Sequence, residues 1–332
     1  MTKQFGSHFI ELMITASCPR LLADIGGTNA RFAWQENSGA PLTEVESYRC
    51  ADHESLEVAI RHYLRQHQKA CPPACGIGIA TPMLGDTVQM TNHSWSFSIA
   101  ALKGNLGLEQ LKVINDFTAL ALSLPLLQAA DLHSIGQGVA VAHAPLAVLG
   151  PGTGLGVSGL LPSGASQFVP ITGEGGHVSL AADSDYEAAV IDFLAHRFGH
   201  ASAERALSGP GLVNLYDAAC SISEQPSLPL STVEIIQRAR QDSDASCSQA
   251  IQLFCGFLGS VAGNLALTLG ARGGVYLGGG MAPRLLAELQ RSSFRERFIA
   301  KGRFRDYLNA IPTFVIDAAV SPALLGAGRA LD

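Results

Sequence analysis

A carboxylate at the mouth of a buried strand, held rigidly beside a crevice, is well placed to serve as a general base. Asn115-Asp116, which ends the short apolar run Lys112-Val113-Ile114, offers one. Capping the helix that starts at Phe117-Thr118-Ala119-Leu120-Ala121-Leu122 would by itself account for the pair. Three glycine-rich turns add a second chemistry: Asp24-Ile25-Gly26-Gly27-Thr28-Asn29, residues 150–156 and Gly278-Gly279-Gly280. Glycines let backbone amides approach an anion with no Cβ in the way. Any one of these turns could simply be tight, but three together suggest a polyphosphate held between two domains. Asp24, directly before the first turn, could hold Mg²⁺ through water. Its alternative role is to fix the hairpin by accepting bonds from Gly27 or Thr28. Glu174-Gly175-Gly176-His177 and Ala203-Glu204-Arg205 supply two further carboxylates and an imidazole beside glycine breaks. Such a set suits a polyhydroxyl ligand better than an apolar one. Spacing alone does not bring these residues together, and each is accounted for singly by a surface position.

The type of nucleotide site can be narrowed. Gly154, Gly156 and Gly159 match the spacing of a dinucleotide fingerprint, which must open a helix. Here the run continues through Val157, Leu160 and Leu161 to Pro162, as a strand and a turn, so the dehydrogenase reading fails. No GxxxxGK[ST] stretch occurs, which excludes a Walker-type phosphate cradle.

The elements that must position these groups fall into two cycles. In the first, Leu21-Leu22-Ala23-Asp24-Ile25 is a strand, Arg31-Phe32-Ala33-Trp34 returns as a second, and residues 43–49 form a third. Leu56, Ala59, Ile60, Tyr63 and Leu64 then mark an amphipathic helix. Gly76-Ile77-Gly78-Ile79-Ala80 and Lys112-Val113-Ile114 are buried strands, the latter running into its helix. The second cycle has strands at Ala147-Val148-Leu149, residues 155–161 and residues 167–172. Helices follow at 186–198, 212–220 and 246–269. Gly256, Gly259 and Gly263 make a small-residue face on the last of these, suited to close approach of another element. Val275-Tyr276-Leu277 and Thr313-Phe314-Val315-Ile316-Asp317 are strands, with helices at 283–289 and 322–331. Two hairpins of one form, strand, Gly/Thr turn, strand, hint at duplicated architecture.

With 332 residues, 47% of them hydrophobic, the chain is long enough for two domains. Its 22 basic and 28 acidic residues give a formal charge of -6, with no basic cluster to follow a phosphate backbone, so nucleic acid is excluded as a partner. No apolar run of membrane-spanning length or secretory signal is evident, and a cytoplasmic protein with no membrane partner is expected. Seven scattered cysteines, an odd number, suit buried thiols in a reducing compartment. Cys71 and Cys75 have CxxxC spacing without a second ligand pair, which argues against zinc.

These stretches resemble those of the bacterial ATP-dependent glucokinases, in the hexokinase/actin-like superfamily. The resemblance rests on residues 23–31, on Met90-Thr91-Asn92-His93-Ser94-Trp95, and on Ile114-Asn115-Asp116-Phe117-Thr118-Ala119. It continues through Gly150-Pro151-Gly152-Thr153-Gly154-Leu155-Gly156, Glu174-Gly175-Gly176-His177, Glu204-Arg205, residues 207–212 and Leu277-Gly278-Gly279-Gly280. The resemblance implies an α/β fold of two ribonuclease-H-like (actin/hexokinase-type) domains flanking an interdomain cleft. The smaller domain would comprise residues 20–125 plus 318–332 and the larger one 126–317, with residues 1–19 an N-terminal extension.

It further implies that Asn115, Asp116, Glu174, His177 and Glu204 grip the hydroxyls of D-glucose, with Asp116 as the general base. Gly26, Gly27, Thr28, Asn29, Gly152, Thr153, Gly154, Gly278 and Gly279 would bind ATP, with Mg²⁺ near Asp24. A homodimer is expected from family habit and from the small-residue helix. The absence of cysteine between Val178 and Gly199 removes the zinc found in the related repressor/kinase group. The alternatives are a kinase for another hexose or an N-acetylhexosamine, and a sugar-binding sensor without transfer activity.

Overall fold

The computed structural model describes residues 18–83, 85–91, 93–164 and 167–332. The expected extension at 1–19 lies, apart from Cys18 and Pro19, outside them. The first half contains β1 (Arg20–Ile25), β2 (Asn29–Gln35), β3 (Thr43–Arg49), α1 (Leu56–Gln66), β4 (Ala74–Ile79), β5 (Thr87–Gln89), β6 (Ser96–Ser98), α2 (Ile99–Leu106), β7 (Gln110–Asn115) and α3 (Asp116–Ser123). Then come β8 (Leu132–Ser134), β9 (Leu146–Pro151), β10 (Leu155–Ser163), β11 (Gln167–Ile171), α4 (Asp185–Phe198), α5 (Ala203–Ala206), α6 (Gly209–Ile222), α7 (Thr232–Arg240) and α8 (Ala245–Leu269). The chain closes with β12 (Val275–Leu277), α9 (Met281–Arg284), α10 (Leu286–Arg291), α11 (Phe294–Ile299), α12 (Arg305–Asn309), β13 (Thr313–Ile316) and α13 (Pro322–Arg329).

The duplication hinted at by the two hairpins is present in the topology. One sheet runs β3-β2-β1-β4-β7 and the other β11-β10-β9-β12-β13-β8. In each, a three-strand antiparallel meander is extended by two parallel strands from its first strand, and β8 adds an antiparallel edge to the second. This is the strand order of two ribonuclease-H-like units, whose parallel strands need the crossover helices found between them.

Local signals explain most elements. The stripe Leu56, Ala59, Ile60, Tyr63 and Leu64 is the buried face of α1, and the Ser55 hydroxyl accepts the Val58 N–H at its start. The sequence reading missed α2, bounded by Ser98 as N-cap and left-handed Gly107, because its apolar face is only Leu102 and Leu106. It also missed α7, although Ser231 and Glu234 form a capping box there. The helix expected over 283–289 is two short pieces broken at Leu285, because Pro283 falls at the third position of α9 and not the first.

Helix α8 is long and apolar enough to cross a membrane, yet two-thirds of its most apolar stretch is buried, and it runs through the largest core of the chain. Its small-residue face is used within the chain. A Cβ at Gly259 would overlap the Phe294 carbonyl and one at Gly263 the Phe298 carbonyl, so α11 lies directly against this face. That removes one of the two reasons for expecting a homodimer.

Helix α3 is packed on from several sides. Side chains Leu120, Ala121 and Leu124 share a core with Leu146, Val148 and Leu160 of the second sheet. On its other flank, α13 lies so close that a Cβ at Gly326 would overlap the Ala119 carbonyl. Overpacking against backbone cannot be relieved by a rotamer change, so Gly326→Ala should cost about 1–3 kcal/mol. Gly104 in α2 is exposed with open space around its Cβ position. There, Gly→Ala should gain roughly 0.5–1 kcal/mol from helix propensity. Thermal melts of the two variants check both, and a Gly326→Ala protein as stable as wild type contradicts this account of α3.

Candidate active site

Strand β7 ends at Asn115, and the sheet delivers that end to a cleft between the two sheets. Asn115 is the N-cap of α3: its Oδ1 accepts the N–H groups of Phe117 (2.9 Å) and Thr118 (3.2 Å). Capping is therefore real, and it is performed by Asn115. That leaves Asp116, the first helical residue, with Oδ1 accepting the Phe117 N–H at 2.9 Å. No described residue bonds its second oxygen. Burial, and after it the nearby Asp24 carboxylate, push Asp116 up to about 6 against the lowering effects of the Phe117 and Asp116 N–H groups and the Asn115 side chain. A carboxylate so tuned is ionised at neutral pH yet basic enough to accept a proton.

Asp24 sits on β1 directly across from Arg31 on β2. Its Oδ2 accepts from the Arg31 guanidinium at 3.1 Å and from the Ser321 hydroxyl at 2.7 Å. The expected bonds from Gly27 or Thr28 are not among those made; both residues lie beyond the end of β1, and the carboxylate is partnered by Arg31 and Ser321 instead. The Asp24 Oδ1 has no partner among the described residues. A divalent cation that bridges phosphates keeps most of its waters and needs only one or two carboxylates. That donor set fits Asp24 Oδ1. No group of three His, Cys, Asp or Glu side chains able to hold a metal occurs among the described residues, so a cation there would depend on phosphate and water ligands.

The glycine turns divide their labour. The N–H groups of Gly26, Gly152 and Gly278 are bonded to the carbonyls of Asn29, Gly154 and Leu149 at 2.8–2.9 Å. Those three residues therefore shape the backbone and do not supply amide donors, contrary to the reading of Gly152 as one. The amides of Gly27, Thr28, Thr153, Gly154 and Gly279 have no partner among the described residues and line the cleft. Gly279 has a φ of 73°, the left-handed region where glycine is favoured.

On the opposite wall, the short helical turn Gly175–His177 carries Glu174 at its N-cap, and both Glu174 and His177 are exposed. Glu204, on α5, accepts the Leu155 N–H through Oε2 at 2.9 Å. Asp24, Gly26, Gly27, Thr28, Asn29, Asn115, Asp116, Gly152, Thr153, Gly154, Glu174, His177, Glu204, Gly278 and Gly279 all line one cleft of about 920 Å³. Convergence of Glu174, His177 and Glu204 with Asp116, which spacing could not establish, is thus a property of the fold.

Several cleft residues went without a role in the sequence reading. Ser321 and Asp317 follow β13, and Thr81 follows β4. In parallel sheets, ligand crevices form at the carboxyl ends of strands, and that rule was the available signal. Thr81 Oγ1 lies 3.3 Å from Thr91 Oγ1 and donates to the Gln89 carbonyl, which ties the β5-β6 hairpin to the cleft rim. Asn92, in a motif behind the resemblance, lies outside the described residues.

Comparison with known proteins gives the family. The family described as Glucokinase matches residues 21–332. A glucokinase of Aromatoleum aromaticum is 55% identical over 95% of this chain and 95% of its own length. A crystal structure of a glucokinase from an Antarctic psychrotroph superposes with a TM-score of 0.87 at 36% identity, covering 95% of this chain and 98% of that one. A glucokinase of the ROK family from Streptomyces griseus, determined in complex with glucose and AMPPNP, shares the fold at 17% identity and a TM-score of 0.60, over 93% of this chain and 98% of that one. By the full-length profile match and the close relatives, this chain belongs to the glucokinase family.

Proposed function

We propose that the protein phosphorylates D-glucose at its 6-hydroxyl with ATP, with Asp116 as the general base. The observation that carries the residue-level reading is the free oxygen of a half-buried carboxylate, fixed at a helix start, in the same cleft as unpaired turn amides. Phosphoryl transfer requires an alcohol oxygen in line with the γ-phosphate, neutralisation of phosphate charge and exclusion of water. Asp116 would orient the sugar hydroxyl and take its proton as the oxygen attacks. Asn115, Glu174, His177 and Glu204 would hold the remaining hydroxyls. The amides of Gly27, Thr28, Thr153, Gly154 and Gly279 and the hydroxyls of Thr28 and Thr153 would receive phosphate oxygens. Asn29, Gly26, Gly152 and Gly278 would shape the walls around them. Bound Mg²⁺, held near Asp24, would draw charge from the transferring phosphate.

The sheets support a division into residues 20–125 plus 318–332 and residues 126–317, with α13 returning to pack on β1 and β4 of the first sheet. Water competes with the sugar as nucleophile, so sugar binding should draw the two units together. We assign the protein to the cytoplasm, in keeping with seven cysteines that are all free. A homodimer rests on family habit alone.

The first test is substrate turnover. ADP release measured over a panel of glucose, mannose, fructose and N-acetylglucosamine should be fastest with glucose, whereas no turnover with any sugar points to a sensor. Asp116→Ala should lower kcat by at least about 10³-fold, since it removes both base and orienting group, while glucose binding by calorimetry persists. Near-normal kcat would refute the assignment.

The raised Asp116 value gives two pH effects. Below pH about 6 the base is protonated, so kcat/KM for glucose should fall up to ten-fold per pH unit and be level above it. For stability, a folded value above the unfolded one of about 3.9 favours the protonated form. Stability contributed by the neutral carboxyl is thus complete below pH about 4 and lost as pH rises through about 6. Asp116→Asn should therefore melt above wild type at pH 7.5, with the gap closing towards pH 4. A lower melting temperature at pH 7.5 would contradict the desolvation argument.

A further inference from the structure

The carboxylate of Glu204 stands between the two halves of the cleft, and its surroundings give it more than a sugar contact. Its Oε2 accepts the Leu155 N–H at 2.9 Å, at the point where the Gly152-Thr153-Gly154 turn enters β10. A side chain at position 154 would collide with that same oxygen, so the glycine there is what admits the carboxylate. The turn is also tied from the other direction, because the Gly209 N–H donates to the Gly152 carbonyl at 2.8 Å. Gly209 is held in turn by the Thr232 hydroxyl at 2.8 Å. Between these two ties lie Thr153 and Gly154, two of the residues whose amides are free to meet phosphate.

Helix α5, which carries Glu204, is bonded equally firmly to the sugar wall. The Ala203 N–H donates to the Val178 carbonyl at 2.8 Å, and the Leu180 N–H to the Ala201 carbonyl at 3.0 Å. Gly176, between Glu174 and His177, packs onto the Leu155 carbonyl so closely that a Cβ would overlap it. The free oxygen of Glu204, Oε1, has no partner among the described residues and belongs to a cleft-lining side chain.

We propose that Glu204 is a positioning residue for the nucleotide as well as a sugar ligand, using one oxygen to hold the phosphate turn and the other to meet the sugar. Glucose at Oε1 then restrains the carboxylate whose Oε2 orders the turn, so the two substrates bind with positive coupling. By linkage the coupling is reciprocal. An acceptor at this point is required for the turn, whereas a charge is required only for the sugar. The inference rests on the sugar-site reading above, but its nucleotide half does not.

The substitutions Glu204→Gln and Glu204→Ala separate these roles, because an amide oxygen can still accept the Leu155 N–H and a methyl group cannot. Calorimetric titration of the full chain with Mg²⁺ and a non-hydrolysable ATP analogue, without sugar, should show Glu204→Gln within about two-fold of wild type and Glu204→Ala weaker by about ten-fold. Glucose affinity should fall in both, and the tightening of analogue binding by glucose should disappear in Glu204→Ala. Gly154→Ala, which retains the carboxylate but displaces it, should weaken the analogue as Glu204→Ala does and decides the matter if the latter fails to fold. Analogue affinity unchanged in both Ala variants, or lost equally in Glu204→Gln and Glu204→Ala, overturns the proposal. Failure of the wild-type protein to bind or turn over glucose would instead sink the sugar reading and leave the analogue comparison standing.

Discussion

Helix α3 can lie against both sheets at once only because glycines face it from several elements. Gly78 of β4 meets Ala119, Gly326 of α13 meets the Ala119 carbonyl, and Gly278 after β12 meets Leu120. Gly150 and Gly156, a cross-strand pair in β9 and β10, together form a notch filled by the Phe117 ring. A methyl group at Gly326, Gly278, Gly150 or Gly156 would occupy space already filled by the helix, and one at Gly78 would press tightly on Ala119. Core interiors have little free volume to absorb such a change. The contact matters for chemistry because Asp116 opens this helix. A helix packed from both sides fixes where the Asp116 backbone stands, and the bond from the Phe117 N–H to Oδ1 restrains the carboxylate itself. Phe117 carries the same constraint to the Gly152-Thr153-Gly154 turn, since the strands bearing Gly150 and Gly156 are the two that flank it.

The electrostatics of the cleft follow from that placement. Asp24 and Asp116 lie at the carboxyl ends of β1 and β7, on either side of β4 in one sheet, and their charges oppose each other. The two are treated differently by their neighbours. Asp24 has a guanidinium and a hydroxyl on one oxygen. At Asp116, burial and the Asp24 charge outweigh the lowering effect of the Phe117 and Asp116 N–H groups and the Asn115 side chain. Arg31 reaches Asp24 at no cost in geometry, because strand register already puts the two opposite each other.

Much of the fold is legible along the chain. The strands and the α1 stripe announce themselves by period, and the glycine turns mark where each hairpin reverses. The two-cycle topology was visible as two hairpins of one form, although their letters barely match. Helices α2 and α7 were not legible, since α2 has too few apolar positions to show a period and α7 is signalled only by its cap. Ser321 escaped notice for a different reason. It precedes the last helix, 297 residues from Asp24 in sequence, and only the return of α13 onto β1 brings its hydroxyl to the carboxylate.

What the sequence determined by itself is local: the apolar periods, the glycines that permit turns, the Asn-Asp cap and the motifs that place the chain in its family. These depend on neighbours a few residues apart, and such interactions are written in spacing. What only the tertiary structure decided is which groups share an environment. Glu174, His177 and Glu204 meet Asp116 in one cleft, the Leu155 N–H is taken by Glu204, and the small-residue face of α8 is filled by α11. Each of these outcomes depends on groups far apart in the chain competing for the same space or the same hydrogen bond. That competition is resolved when the two sheets pack around α3, and spacing does not record it.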